Sequence, residues 1–398
     1  MPRLLQINST ANWGSTGKIA EQIGERAMAH GWESYIAYGR VANNSSSTLI
    51  RIGSRASQAW HLMQTRLFDR HGLGSKCATS ELISQIKEIK PDIIHLHNIH
   101  GYYINYPILF DYLNSANIPV VWTLHDCWAF TGHCAHFVEA ECYKWREQCN
   151  NCELRSNYPK AYCSSTKANF ELKRHYFSKA NATIVPVSDW LSNFVGESFL
   201  NNMSRIVIHN GINIDIFKPL EPTSHERINL LGVSSIWDNS KGLADFYQLR
   251  GVLNEERYTI TLIGLTKQQI EALPKGIVGL ERTNSVEEIV QAYNDADIFI
   301  NPTYADSFPT TNLEAMACGT PVITYKTGGS PEAITPATGI VVEQGDVAGV
   351  VRAIEDICAK GKEHYAEACR KRAVENFDKN ACFEKYIALY GELLAKKL

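Results

Sequence analysis

Short apolar runs recur along the chain, and between them apolar residues return every three or four positions. The runs Arg3–Asn8, Ser34–Tyr38, Asp92–His97, Pro119–Leu124, Thr183–Ser188 and Arg205–Asn210 have strand length and are mostly continuous rather than alternating. That is the pattern of strands buried on both faces of a parallel sheet. Thr16–His30 and Ser80–Ile89 read as helices between them. A second series follows at Ile228–Ser234, Tyr258–Gly264, Asp297–Asn301, Pro321–Tyr325 and Gly339–Glu343, with helical stretches at Glu287–Asn294 and Thr311–Cys318. Strand alternating with helix predicts a doubly wound α/β domain. Two such series predict two Rossmann-like domains facing each other across a cleft.

The segment between the series, FKPLEPTSHER at 217–227, carries two prolines and reads as a linker. Past Gly345 the pattern is helical to the end. Phe383, Ile387, Tyr390 and Leu394 fall on one helix face, which must dock somewhere.

Composition narrows the class. The 398 residues are 44% hydrophobic and 20% charged, which excludes wholesale disorder. The 39 basic and 42 acidic residues leave a net charge of −3, with no basic footprint for nucleic acid. The start lacks the apolar stretch of about 7–15 residues of a signal peptide, and no run approaches the ~18 of a membrane span. The expected location is the cytoplasm.

Ligands of open parallel sheets bind beyond the carboxyl ends of the strands, so the loops there hold the candidate chemistry. The loop 8–18, NSTANWGSTGK, follows the first strand and enters a helix. Gly14 and Gly17 permit tight turns there, and free N–H groups at a helix start favour an anion. The spacing is neither G-x-G-x-x-G nor a Walker A loop. The second candidate is 301–332, NPTYADSFPTTNLEAMACGTPVITYKTGGSPE. A strand ends in a polar loop with Asp306, Ser307 and Phe308. Pro309, Thr310 and Thr311 then open a helix whose start suits a pyrophosphate. Glu314, one turn in, can accept both hydroxyls of a ribose. The turn Gly328-Gly329-Ser330 follows the next strand.

In this region the sequence resembles the retaining GT-B glycosyltransferases of family four. The family signature pairs two glutamates eight positions apart with A-M-A-x-G-x-P-V-I and a G-G-x-x-E turn. The chain has LEAMACGTPVI at 313–323 and GGSPE at 328–332, with Asp306 where the first glutamate is expected. Asn210-Gly211-Ile212 with Phe217-Lys218-Pro219 resembles the family's hinge signature, Asn213 replacing its aspartate. Lys241-Gly242 resembles the element whose lysine binds the donor diphosphate. The arginine usual shortly before that lysine is absent; helix dipole, backbone N–H groups or Arg282 remain to compensate.

The resemblance implies transfer of a sugar from a nucleoside-diphosphate sugar to an acceptor hydroxyl with retention, in cell-surface polysaccharide assembly. It implies donor contacts by Gly14, Gly17, Asn210, Gly211, Lys241, Ser307, Phe308, Pro309, Thr310, Thr311 and Glu314. Catalytic roles fall to His125, Asp126, Lys241 and Asp306. Lys241 and the helix start can stabilise the leaving diphosphate without a metal, and no D-x-D pair is placed to hold one. His125-Asp126 ends the strand Pro119–Leu124, with His125 near donor sugar or acceptor and Asp126 orienting it or acting as base. His95, His97, Asn98 and His100 end the preceding strand and either line the acceptor side or form a solvated loop. The expected division is 1–212 on the acceptor side, with a cysteine-rich insertion at 127–163, then 213–380 for the nucleotide sugar. A terminal helix, 381–398, crosses back to the first domain. A glycan or lipid-linked acceptor implies peripheral contact with the inner membrane face. Rival readings are a GT-B nucleotide-sugar epimerase or hydrolase, and a non-catalytic, zinc-stapled nucleotide-sugar binder.

Six of the 11 cysteines lie within 127–163. Cys149 and Cys152 form C-x2-C, and with Cys134 and Cys142 they match a structural zinc pattern. His133 and His136 are possible substitutes. A disulfide or redox pair and unligated thiols are the alternatives. Cys318 reads as a buried small hydrophobe.

Overall fold

The computed structural model describes residues 1–221 and 226–396. The middle of the predicted linker, 222–225, and the last two residues of the predicted terminal helix lie outside the described residues. The chain divides into two compact units, one of Met1–His209 with Phe383–Leu398 and one of Asn210–Cys382.

The first unit is built on strands β1 (Arg3–Ala11), β2 (Glu33–Ala42), β3 (Thr48–Arg51), β4 (Ile93–Leu96), β5 (Val120–Leu124) and β6 (Ala182–Pro186). They form one parallel sheet in the order β3-β2-β1-β4-β5-β6. The second unit repeats the plan with β7 (Ile228–Val233), β8 (Tyr258–Ile263), β9 (Ile277–Leu280), β10 (Ile298–Asn301), β11 (Val322–Tyr325) and β12 (Gly339–Val342). Their order is β12-β11-β10-β7-β8-β9, again all parallel. The continuous apolar runs fill the centres: every residue of β4, β5 and β11 is buried.

Both sheets share one winding. The chain steps outward from the first strand to the third, then returns beside the first and steps out the other way. The first and fourth strands are neighbours whose following loops lead to helices on opposite faces. Those loops part and leave a crevice. In the first unit it lies beyond β1 and β4; in the second, beyond β7 and β10.

Four parts of the chain depart from the sequence expectation. Arg205–Asn210 is not a strand. It runs beside β6, and the N–H groups of Ile206 and Ile208 donate to the carbonyls of Ile184 and Pro186. Pro186 has no N–H to return, and only Arg205 forms a bridge, to Ile184. β3 and β9 are additional strands, each at or next to a sheet edge and four residues long. The predicted linker is partly packed: the Phe217 ring lies 6.1 Å from Tyr293, and the Leu220 N–H donates to Asn294 Oδ1 at 2.8 Å.

The last helix, Lys379–Ala395, buries Phe383, Tyr386 and Tyr390. From Phe383 onward it belongs to the first unit. His95 lies between Tyr390 Oη, 2.7 Å from its Nδ1, and Thr123 Oγ1, 2.7 Å from its Nε2. Thr123 in turn meets Tyr386 Oη at 3.0 Å. Arg26 pairs with Glu384 on the same helix.

Candidate functional site

The crevice beyond β7 and β10 gathers most of the predicted donor residues. Two loops are tied edge to edge there. The Tyr304 N–H donates to Ser240 O at 2.7 Å, and Thr303 Oγ1 donates to the same carbonyl at 3.2 Å. Gly242 has φ +71°, and a Cβ on it would stand 2.2 Å from Pro302 O, so only glycine lets the loops meet. Lys241 thereby extends over the β10 loop. Its Nζ donates to Asp306 Oδ2 at 2.7 Å, to Ala305 O at 3.1 Å and to Thr303 Oγ1 at 3.4 Å. Lysine and aspartate are each 27% exposed, so the ion pair is open to a ligand on one side.

Asp306 is fixed from two further directions. Its Oδ1 accepts the Phe308 N–H at 3.2 Å, and its carbonyl accepts the Gly329 N–H at 3.2 Å. Gly328, at φ +59°, passes so close that a Cβ would stand 1.7 Å from Asp306 O. The Gly-Gly turn after β11 is therefore a clamp on the carboxylate-bearing loop.

The helix Thr310–Ala317 starts from this loop with Pro309 as its cap residue and no side chain capping its N-terminus. Its first N–H groups carry the positive end of the helix dipole, with no acidic residue in the first turn. Ser307 Oγ is buried with no hydrogen-bond partner, a polar group whose desolvation is uncompensated until something bonds to it. Asn312 holds the helix in place, donating to Ser330 Oγ at 2.9 Å and accepting from Asn301 Nδ2 at 2.8 Å.

Other predicted donor residues are placed differently. Glu314 accepts a hydrogen bond from Tyr293 Oη at 2.9 Å, and Tyr293 is buried. Phe308 is buried against Phe377, and its carbonyl accepts from Asn210 Nδ2 at 3.2 Å. Gly211 allows close crossing of the chain: a Cβ would stand 2.5 Å from Lys379 Cα. Arg282 is exposed beyond β9, two strands away from β7.

The crevice beyond β1 and β4 is lined with imidazoles. Gln6, a polar residue inside β1, donates to Ala20 O at 2.7 Å, which turns its Oε1 to His97 Nε2 at 3.0 Å. His97 Nε2 therefore carries a proton, and Nδ1 is its acceptor nitrogen. That nitrogen lies 3.1 Å from His125 Nε2, which must donate to it. The chain of bonds leaves Nδ1 as the lone-pair nitrogen of His125. Burial lowers the His125 pKa to about 4 despite the Asp126 charge, and burial also drives His97 well below the ordinary value. Both rings are neutral at pH 7.

Asp126 turns to His100 instead of His125. Its Oδ2 lies 2.9 Å from His100 Nε2, and its Oδ1 accepts the Trp128 N–H at 2.9 Å. Burial alone would raise its pKa; the His100 charge and hydrogen bond outweigh that and hold it well below the usual carboxylate range. A carboxylate so held is a weak base and a good anchor. His95 is satisfied on both nitrogens within the core, so it is a packing residue. Gly14, at φ +64°, opens the helix Gly14–Ala29, which also lacks a side-chain cap. Gly17 is confined: a Cβ would stand 2.6 Å from Thr10 Oγ1.

Sequence reasoning missed Gln6, Thr303 and Tyr293. A glutamine inside the apolar run Leu4–Ile7 was the available signal for the first. The others needed the loops and helices in place.

All 11 cysteines are free thiols. Among the described residues, Cys134, Cys142, Cys149 and Cys152 do not bring three sulfurs within 4.8 Å of one another. Cys318 is buried, and burial pushes its thiol up to about 12, as for an inert core thiol.

Two family models match the chain. "Glycosyltransferase Family 4" covers residues 22–216, and "Glycosyl transferases group 1" covers 227–360. The chain is 23% identical over 374 residues to the putative colanic acid biosynthesis glycosyl transferase WcaC of Escherichia coli, covering 88% of this chain and 89% of that one. It is 24% identical over 230 residues to the N,N'-diacetylbacillosaminyl-diphospho-undecaprenol alpha-1,3-N-acetylgalactosaminyltransferase of Campylobacter jejuni, covering 50% and 60% of the two chains. Among solved structures it resembles Anabaena HepE in complex with UDP and glucose, with a TM-score of 0.68 at 14% identity over 98% of this chain and 100% of that one.

Proposed function

Since the chain belongs to the GT-B glycosyltransferases of family four, we propose that it transfers a hexose from a nucleoside-diphosphate sugar to an acceptor hydroxyl with retained configuration. The product is part of a surface polysaccharide, the process named for its relative WcaC. The observation that carries the reading is the Lys241–Asp306 pair beside the uncapped helix start and the unpartnered Ser307 hydroxyl.

A diphosphate leaving group gains negative charge as the glycosidic bond breaks. Groups fixed where that charge develops lower the barrier most. Lys241, the N–H groups of Thr310 and Thr311, and Ser307 Oγ are such groups, and none requires a metal ion. Donor binding draws Lys241 toward phosphate and leaves Asp306 Oδ2 free to accept from a sugar hydroxyl. The Asp306 side chain is one methylene shorter than the expected glutamate, and the Gly328–Gly329 clamp fixes how far it extends. His125, neutral with an acceptor nitrogen at Nδ1, accepts from a hydroxyl of sugar or acceptor. His97 and Gln6 hold its tautomer, and Asp126 is a positioning residue working through His100.

The acceptor is glycan or lipid-linked, as the name of the Campylobacter relative indicates for that enzyme. The helix Arg55–Phe68 supports a peripheral station on an anionic membrane face, and so a cytoplasmic one. Trp60, Met63, Leu67 and Phe68 are exposed on it, Trp60 by 58%. Arg51, Arg55 and Arg70 are exposed around them, and 51–68 contains no acidic residue. Exposed apolar side chains edged by arginine suit the lipid interface. No helix among the described residues is long and apolar enough to cross a membrane.

The test is turnover. The purified chain is incubated with a panel of UDP-, GDP- and ADP-sugars and candidate acceptors, reading nucleotide release and the anomeric configuration of the product. Transfer with retention is expected from one donor class. Nucleotide release without any acceptor dependence favours a hydrolase or epimerase, and nucleotide-sugar binding without turnover favours a non-catalytic binder.

A further inference from the structure

The segment 127–163 meets the first crevice through Trp128 and Tyr158, which pack on His100, but the rest of it has little regular structure to hold it. It contains four short 3₁₀ turns, Trp128–Phe130, Val138–Ala140, Lys144–Arg146 and Glu153–Ser156, yet Trp128, Phe130, Phe137 and Trp145 are fully buried. A long loop with a buried centre needs a fastening beyond backbone bonds. Among the described residues no disulfide supplies it.

Four cysteines occupy one neighbourhood. The Cys134 and Cys152 thiols are hydrogen-bonded to each other, Cys149 interacts electrostatically with both, and Cys142 with Cys149. Cys134 and Cys149 are buried, while Cys142 and Cys152 are partly accessible, which leaves a way in. Backbone N–H groups face two of the sulfurs, and a lysine lies beside them. The Gly132 N–H donates to Cys149 and the Leu154 N–H to Cys152. Lys173 is buried among them, its Nζ donating to Trp128 O at 2.7 Å and Thr131 O at 3.0 Å.

A second observation is independent of the thiols. The His133 side chain is 0% exposed, and its Nδ1 lies 2.6 Å from Asp69 Oδ1. Asp69 is itself held, its Oδ2 accepting the Ser165 N–H at 2.9 Å. The other ring nitrogen of His133, Nε2, is buried with no partner. It lies close enough to Cys152 to act on it electrostatically. An imidazole oriented by a carboxylate, with its far nitrogen waiting in a thiol-rich pocket, is the arrangement seen around bound metal ions.

We propose that Cys134, Cys142, Cys149 and Cys152 bind one structural zinc ion, and that His133, its Nδ1–H held by Asp69 and its Nε2 taking up a proton beside the thiolates, donates from Nε2 to one of the ligand sulfurs. Four thiolates around a tetrahedral centre select zinc, and four protein ligands leave no open position for catalysis. Without the ion the sulfurs do not converge; binding rotates the four side chains onto one point and releases the thiol protons still present. The ion then fastens the insertion to Asp69 and through it to the first unit.

The full chain, purified reduced and without chelator, is analysed for metals and reconstituted with cobalt. About one zinc per chain is expected, together with the charge-transfer absorption of a four-thiolate cobalt centre. Serine in place of any of the four cysteines lowers the zinc content, whereas Cys77→Ser and Cys163→Ser retain it. His133→Gln keeps the zinc but weakens its affinity by roughly 10–100-fold. The cobalt spectrum of the unmodified chain decides the matter even if a serine variant fails to fold. The proposal is overturned by a chain that takes up neither zinc nor cobalt, or by iron in place of zinc. Zinc retained in Cys142→Ser but lost in His133→Gln overturns the four-thiolate set.

Discussion

Lys241→Ala separates a catalytic lysine from a structural one by magnitude. In the unliganded protein the ion pair with Asp306 is 27% exposed on each side. Pairs so open to solvent contribute about 0–1 kcal/mol. Removing the lysine should therefore lower the melting temperature by only a few degrees, at ~2–4 °C per kcal/mol for a domain of this size. The activity cost is of another order. If Nζ meets the leaving diphosphate, its loss removes a cation from the point of charge development, worth roughly 10²–10³-fold in kcat. The absence of a neighbouring arginine puts the effect at the upper end, because no second cation on that loop shares the charge. The assay is steady-state nucleotide release at saturating donor, with a thermal melt on the same samples. Asp306→Ala and the double variant complete a cycle, in which two groups acting on one leaving group give losses well short of additive. A kcat within about threefold of the parent would refute the assignment. So would a fall in melting temperature large enough to account for the lost activity.

Other consequences can be checked separately. Burial lowers the pKa of His61 and His125 to about 4 and drives His71, His95 and His97 well below the ordinary value. The unfolded chain takes up these protons near pH 6.5 and the folded chain only near or below pH 4, so stability is full above the unfolded value and falls as pH drops through this window. His61 alone contributes on the order of 3 kcal/mol by pH 4; an unchanged urea midpoint between pH 7.5 and 5 would contradict this. Gly328→Ala forces a Cβ against Asp306 O, so we expect lost activity and destabilisation of at least about 1–3 kcal/mol; normal turnover would show that the turn is not a clamp. Trp60→Ser with Leu67→Ser should abolish co-sedimentation with anionic vesicles while changing stability little, since both side chains are exposed. Undiminished sedimentation would remove this helix from the membrane surface.

The legible part of the fold was what local pattern determines. Continuous apolar runs located ten of the twelve strands among the described residues, because a strand covered on both faces cannot hide its composition. β3 and β9 escaped because short strands at the sheet edges are only half covered, and TLIR and IVGL bury little. Arg205–Asn210 read as a strand from composition but lies beside Pro186, and a missing N–H on the far side of an intervening helix is invisible in a local window. At the site, sequence placed Lys241 and Asp306 in loops after strands. It could not place them 2.7 Å apart, since that depends on β7 and β10 being neighbours. The Asp126 partner illustrates the same limit. His125 is adjacent in sequence, but successive residues at the end of a strand point to opposite sides. The carboxylate therefore meets His100 from the loop after β4.

The two crevices have the same strand plan and opposite electrostatics, and the difference follows from what each residue set can stabilise. Beyond β7 and β10 the groups are charged or dipolar: an ammonium, a carboxylate and an uncapped helix start. Beyond β1 and β4 the nearest groups are neutral imidazoles in a fixed order of donors and acceptors, set by Gln6. A formal positive charge on His125 would have to be desolvated in that enclosure, and the Asp126 charge that could offset it is already taken by His100. The first set suits a diphosphate, whose charge grows during bond cleavage. The second suits hydroxyl groups, which need oriented lone pairs and lose nothing when the pocket carries no net charge. Exchanging the two characters tests this division. His97→Gln keeps a neutral donor and acceptor near His125 and should leave turnover within about tenfold of the parent. His97→Lys places a cation there, and a loss far beyond tenfold in kcat with donor KM unchanged is expected, because the charge disturbs the hydroxyl side and not the diphosphate. A lysine variant that raised donor KM while preserving kcat would show that the imidazole crevice serves the diphosphate instead.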